Sequence, residues 1–210
     1  MYVPKHFQES DAGELAHFMA ANGFAVLLTT DERGLPFGSH LPLLYDAGPG
    51  GAPGRIVGHM AKANPQWRHF RADTEVLAVF AGPHAYVSPA WYDSQPAVPT
   101  WNFAAVHAYG RPRLIDEPAE AEALLRRLVA TYEAGRPKPW DMDGLPRDYF
   151  ERMLNGIQAF ELALTRLEGK FKLSQNRDAT DRANVAVALS AEADGAAQAT
   201  AALMRVRAKD

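Results

Sequence analysis

The residues in this chain best suited to chemistry are donors for an anion, and they fall in a few short stretches. Gly58 to Trp67, GHMAKANPQW, leaves an apolar, strand-like segment through a lysine and arrives at Asn64-Pro65. Asparagine is a favoured N-cap and proline suits the first helical position, so a helix is expected to begin near Pro65. The free N–H groups of a helix's first turn point outward with the positive end of its dipole. With Lys62 just upstream and His59 at the strand end, these groups would form a seat for a phosphate. The competing reading is a capped surface helix beside a solvated lysine.

Three further stretches carry polar or aromatic groups at useful spacing. In SHLP, strand alternation sets Ser39 and Leu41 on one face and His40 and Pro42 on the other. A proline inside a strand marks an edge or an interrupted ladder, which leaves backbone groups open to a planar ligand or simply ends the sheet. Tyr86, Trp91, Tyr92, Trp101 and Phe103 crowd a segment of three prolines, His84 to Phe103. Such rings suit a flat ligand pocket, a subunit interface or a rigid loop over the core. Ser88, Thr100 and Asn102 could meet the polar edge of a heterocycle there. In GKFKLSQNR, Lys170 and Lys172 share one side of an extended segment and precede Ser174 and Gln175. That is a second anion contact or a solvated strand end.

Other chemistries find no motif. The chain has no cysteine, which removes disulfides, thiolate nucleophiles and iron–sulfur ligation. No H-E-x-x-H or comparable histidine spacing occurs, so no metal site is predicted. G-x-S-x-G, P-loop and Rossmann glycine patterns are absent too. No residue presents itself as acid, base or nucleophile. A net charge of −3 offers no general attraction to nucleic acid or anionic lipid. The first residues, MYVPKHFQESD, lack the apolar core of a secretory signal, and no apolar run is long enough to span a bilayer. A cytoplasmic protein without membrane contact is expected.

The elements that must position these residues follow an α+β order. Asp11 and Glu14 have capping-box spacing ahead of Leu15, Phe18 and Met19, which predicts a first helix ending at Gly23. FAVLLTT and PFGSHLPLLYD read as paired strands, AGPGGAPG as an exposed loop, and RIVGHM and EVLAVFAG as further strands. VPTWNFAAVHAYGRPRLID reads as a long strand broken at Gly110. Asp116 to Gly135 is the clearest helix, RDYFERML a short one, and IQAFELALTRLEG a half-buried strand. The alanine-rich tail reads as two helices broken at Asp194-Gly195. A small closed or split barrel with surrounding helices fits this order.

MYVPKHF, GLPFGSHLP, GHMAKANPQW, GPHAYVSPAWY, VPTWNFAAVHAYG and KFKLSQNRDATDR, in this order, resemble the PaiB-type proteins, the FMN-binding negative transcriptional regulators. The resemblance runs through nearly the whole chain. It implies an FMN-binding split β-barrel, related in fold to pyridoxamine-phosphate oxidases and flavin reductases, and a homodimer with flavin between its subunits. In that wider fold the phosphate is held around the third strand and the following helix, where this chain has His59, Lys62, Asn64 and Gln66. The second-strand position that borders the ring system is filled by Ser39, His40 and Pro42. Where the wider fold has a serine or threonine near an arginine or lysine, this chain has His59-Met60-Ala61-Lys62.

The expected cofactor-binding set is therefore Ser39, His40, Pro42, His59, Met60, Lys62, Asn64, Gln66, Trp101, Asn102, Lys170, Lys172 and Gln175. Residues 1–177 are expected to form the flavin-binding barrel domain with inserted helices 116–155, and residues 178–210 an alanine-rich helical extension of it. If the protein is an enzyme, it is a flavin-dependent oxidoreductase. Two alternatives stand beside the flavin-binding regulator. One is a direct DNA binder using AAQATAALMRV as recognition helix, although only Gln198, Thr200 and Arg205 offer useful groups for groove reading. The other is a haem-binding relative on the same fold.

Overall fold

Alternation of apolar and polar residues builds long antiparallel strands, and glycine sets where they approach one another. The structure is a computed structural model that describes residues 1–207. The last three residues of the expected extension, 208–210, lie outside the described residues. After a two-residue strand β1 (Gln8–Glu9) come α1 (Ala12–Ala21), β2 (Phe24–Thr30), β3 (Pro36–Asp46) and β4 (Arg55–Ala61). A short 3-10 turn (Pro65–His69) leads to β5 (Val76–Val87) and β6 (Thr100–Ile115). Then follow α2 (Pro118–Glu133), α3 (Arg147–Asn155), β7 (Ile157–Lys172), α4 (Ala179–Ala191) and α5 (Gly195–Val206). The strands join in the order β1-β7-β4-β3-β2-β5-β6, and a further β7–β6 pairing closes six of them into a hydrogen-bonded ring. This is the α+β split-barrel fold expected from the sequence.

Backbone contacts divide the chain into two compact units. The first comprises Met1–Phe18, Ala81–His107 and Glu168–Asp210, and the second Met19–Phe80 and Ala108–Leu167. In the second unit, β2 pairs with β3 from Phe24↔Pro42 to Thr30↔Pro36, and β4 pairs with β7 from Arg55↔Ala163 to Ala61↔Ile157. Leu27, Leu43, Ile56, Phe80, Phe160 and Leu162 are fully or almost fully buried and form its core. On the opposite sheet face, Val57 and Ala159 are covered by Ala121, Leu124 and Leu128 of α2. An amphipathic helix thus closes the second face of two central strands.

In the first unit, Leu15 and Phe18 of α1 are buried, and the Asp11 carboxylate caps the helix by accepting from the Glu14 N–H at 2.9 Å. Phe18 packs on Phe171 with ring centroids 4.9 Å apart. Helices α4 and α5 bury Val185, Leu189, Ala197, Ala201 and Met204.

Three expectations need correction. The helix expected at Pro65 is a five-residue 3-10 turn, too short to sum many peptide dipoles. Strand β5 runs on through Gly82-Pro83-His84 to Val87, where the sequence reading had already passed into an aromatic loop. Gly110 does not break β6, which is continuous over 16 residues. A Cβ at Gly110 would lie 2.8 Å from the Ala163 carbonyl oxygen, so glycine is needed for close approach of two backbones. Gly110→Ala must push backbone against backbone and should cost roughly 1–3 kcal/mol of stability. Urea denaturation monitored by tryptophan fluorescence checks this, and an unchanged midpoint would contradict it.

Candidate functional site

The candidate residues fall into two groups, one in each unit. In the second unit, the turn after β4 is built on Gln66, whose side chain is wholly buried. Its Nε2 donates to the Leu27 carbonyl at 2.8 Å, the Phe37 carbonyl at 3.2 Å and Thr29 Oγ1 at 3.3 Å. Thr29 Oγ1 in turn lies 3.0 Å from His69 Nδ1. Gln66 therefore anchors the turn to β2 and β3 from within. Above it, Asn64 Oδ1 accepts from the Gln66 N–H at 3.0 Å, and Asn64 Nδ2 donates to Ser39 Oγ at 2.9 Å. The N-cap is as the sequence implies. Pro65 has no N–H and the Gln66 N–H is already taken, so the donors here are side chains more than free backbone.

Lys62 stands at the head of this turn. Its N–H donates to the Gly156 carbonyl at 2.8 Å and its own carbonyl accepts from Trp67 Nε1 at 3.0 Å. The backbone is pinned on both sides while the side chain is exposed. Among the described residues no carboxylate pairs with its ammonium. Met60 is buried in the core. His59 points to the other face of β4 and is half-buried; its Nδ1 is buried without a hydrogen-bond partner. Burial lowers its pKa and keeps the ring neutral. On β3, Ser39 shares the face of buried Leu41, whereas His40 is exposed and stacks on Phe24 at 6.1 Å. Pro42 is opposite Phe24 in the ladder.

In the first unit, Lys172 Nζ donates to Thr100 Oγ1 and to the Trp101 carbonyl, both at 2.5 Å. Desolvation, with a smaller contribution from Lys170, lowers its pKa. No carboxylate partners it among the described residues. Lys170 Nζ donates to the Tyr2 carbonyl at 3.0 Å and lies over the Phe103 ring. Trp101 is 54% exposed and touches the rings of His84 and Tyr86. Asn102, by contrast, is fully buried and donates to Ser174 Oγ at 2.9 Å. Gln175 turns inward, accepting from the Leu173 N–H and donating to the Phe171 carbonyl.

Two supports were not read from the sequence. Ser174 is buried with φ of 65°, a conformation in which a non-glycine residue needs holding, and Asn102 supplies the hold. Nothing local in the sequence marks it. Asp181 is wholly buried and accepts from the Asp93 N–H at 2.7 Å and from the Ser94 hydroxyl, fixing the loop ahead of β6. The Asp178-x-x-Asp181 spacing signals a helix start; Asp181's N–H does donate to Asp178 at 2.8 Å. Its grip on a distant loop was not legible.

The chemistry of the donor sets suits a phosphate monoester and a flat aromatic body. Lys62, Ser39 and Asn64 offer an ammonium, a hydroxyl and an amide N–H from three positions that the fold ties together. Lys172 and exposed Trp101 offer a partly desolvated cation beside an indole face. Each set, taken by itself within its own unit, suits one part of such a ligand: the first a phosphate, the second a flat ring.

Comparison with known proteins agrees with this chemistry. The model of the family described as "Putative FMN-binding domain" matches residues 1–166. The chain is 40% identical over 209 residues to "Protease synthase and sporulation protein PAI 2" of Bacillus subtilis, covering 100% of this chain and 99% of that one. Among solved structures, it is similar to the FAD and heme binding protein from Mycobacterium smegmatis, with a TM-score of 0.62 at 14% identity over 84% of this chain and 78% of that one. The flavocytochrome Anf3 from Azotobacter vinelandii gives 0.60 at 16% identity over 87% and 78%. At such identities the structural likeness is one of fold.

A pH dependence follows from His59. Its pKa is lowered in the folded state, so the unfolded chain binds more protons as pH falls. The sign is a stability that is full above the ordinary histidine pKa and declines below it. Thermal melts between about pH 7.5 and pH 5 should show this decline, and His59→Gln should reduce it. His107, also lowered by burial, accounts for part of the remainder. Melts of equal pH dependence for wild type and His59→Gln would contradict the assignment.

Proposed function

Because the chain belongs to the "Putative FMN-binding domain" family, we propose that it is an FMN-binding split-barrel protein of the PaiB type. It acts as a homodimeric, cytoplasmic regulator or redox protein. The observation that carries the reading is the hydrogen bond to Ser39 Oγ from Asn64 Nδ2, two residues along the chain from Lys62, whose ammonium has no carboxylate partner among the described residues. This is the donor set a phosphate dianion needs, held in place by a buried amide. His59, on the other face of β4, and, separately within the first unit, Lys170, Lys172 and Trp101 are further candidate flavin contacts. Met60, Gln66, Asn102 and Gln175 act behind the site, by packing and by hydrogen bonds that hold its edges. FMN, when bound, supplies the electron chemistry. The chain's residues bind it, orient it and exclude water.

The proposed domain organisation is a barrel domain over residues 1–177 and a helical extension over residues 178–210. Dimerisation is supported by the outer face of β2, β3 and β5. There Phe24, Val26, Leu28, Pro42, Leu77 and Val79 form a largely apolar layer in register around His40, with Phe24 69% exposed. A solvated sheet face normally carries polar residues, and an apolar one marks an interface. Direct DNA reading by α5 finds little support. Thr200 is buried and donates to the Ala196 carbonyl, and Gln198 donates to the Glu192 carbonyl, which leaves Arg205. A regulatory role then runs through the flavin or a partner. No helix among the described residues is long and apolar enough to cross a membrane.

Titration of the purified protein with FMN tests the site. Quenching of flavin fluorescence should saturate, and Lys62→Ala should weaken binding about tenfold or more at unchanged melting temperature. Absence of saturable binding would refute the flavoprotein reading. Light scattering should return a dimer mass for wild type and a monomer mass for Val26→Lys. A monomeric wild type at micromolar concentration would refute the interface.

A further inference from the structure

The helical hairpin of α4 and α5 carries a pocket whose lining shares only Gln175 with the candidate flavin contacts. It lies wholly within the first unit and has a volume of about 560 Å³. Its walls include Ala183, Ala186, Val187 and Met204, and its cations are Arg182, Arg205 and Arg207. Arg207 is engaged with Glu9 and Glu14. Arg182 is not. Its Nε is buried without a hydrogen-bond partner, and no carboxylate pairs with its guanidinium among the described residues. A buried charged donor left unmet is costly, and a fork of five N–H groups matches a carboxylate bidentately. Val187, at 65% exposure, places an apolar side chain in water on the same helix.

What could fill the pocket is narrowed by what its wall lacks. Gln175 also lines it, but both ends of its amide are used by Leu173 and Phe171. Beyond the arginines, no side chain in the lining has a free group for a sugar hydroxyl, a ribityl chain or a base edge. The matching body is apolar and only the head is charged. We propose that this pocket binds a small amphipathic carboxylate, with its head on Arg182 and its alkyl or aryl body along Ala183, Ala186, Val187 and Met204. Arg205 stands at the rim as a second cation that favours anions. The site gives the hairpin a ligand of its own, and it does not depend on the flavin reading.

Calorimetric titration of the full chain, saturated with FMN where FMN binds, tests this with octanoate and octan-1-ol as probes. Octanoate should bind saturably, and the alcohol about tenfold more weakly or worse, since it lacks the charge. Arg182→Gln should lower octanoate affinity about tenfold while leaving the melting temperature unchanged. Val187→Asp, at an exposed position that folding tolerates, should also weaken octanoate by repulsion. Equal binding of acid and alcohol, no binding at millimolar octanoate, or unchanged affinity in both variants overturns the proposal. Displacement of octanoate by FMN overturns it as well, because the pocket would then be the flavin's.

Discussion

One buried amide organises the candidate residues of the second unit. Gln66 Nε2 satisfies carbonyls of β2 and β3 at once, and its removal would strand those acceptors in the core. Because the amide is fixed, the turn that carries it is fixed, and with it Asn64 and the backbone of Lys62. A lysine on a free loop would pay for ordering its own backbone before meeting a ligand. Here that entropy is lost at folding, so the cation is presented on a frame already set.

The first unit reaches a comparable result by other means. A serine in the left-handed region is held by a buried asparagine, and a buried aspartate ties the start of α4 to the loop before β6. Lys172 then reaches the hydroxyl and carbonyl at the head of β6. Polar groups that look like ligand contacts in a linear reading divide into two kinds. Asn102 and Gln175 are satisfied internally, Gln66 only through its Nε2, its Oε1 being buried without a partner, while Lys62 and Lys172 have no carboxylate partner among the described residues.

Much of this was legible in advance. Alternation and bounding prolines and glycines delimit β3 from Pro36 to Asp46, and the cap pair Asp11/Glu14 and the run Leu124 to Leu128 mark α1 and α2. What escaped depends on distant partners. The strand read as EVLAVFAG runs on to Val87, and β5 accommodates Pro83 at a half-buried position. Gly110 looked like a break, and its meaning is contact with Ala163, more than fifty residues away in sequence. Asn64-Pro65 correctly signalled a cap, but the element it opens is a five-residue 3-10 turn whose Gln66 is bonded to β2 and β3. Residue types at the site could be read; which of them remain free for a ligand could not, because that depends on who has already taken their hydrogen bonds.

The pairing of Asn64 with Pro65 also bears on how the protein ages. Spontaneous deamidation of asparagine proceeds through attack by the next residue's backbone nitrogen, and proline's tertiary nitrogen has no hydrogen to lose. Asn64, which links the turn to Ser39, is thus shielded from the slow conversion to aspartate that would swap a donor for a negative charge beside Lys62. The residue that starts the turn also preserves the amide through the protein's lifetime.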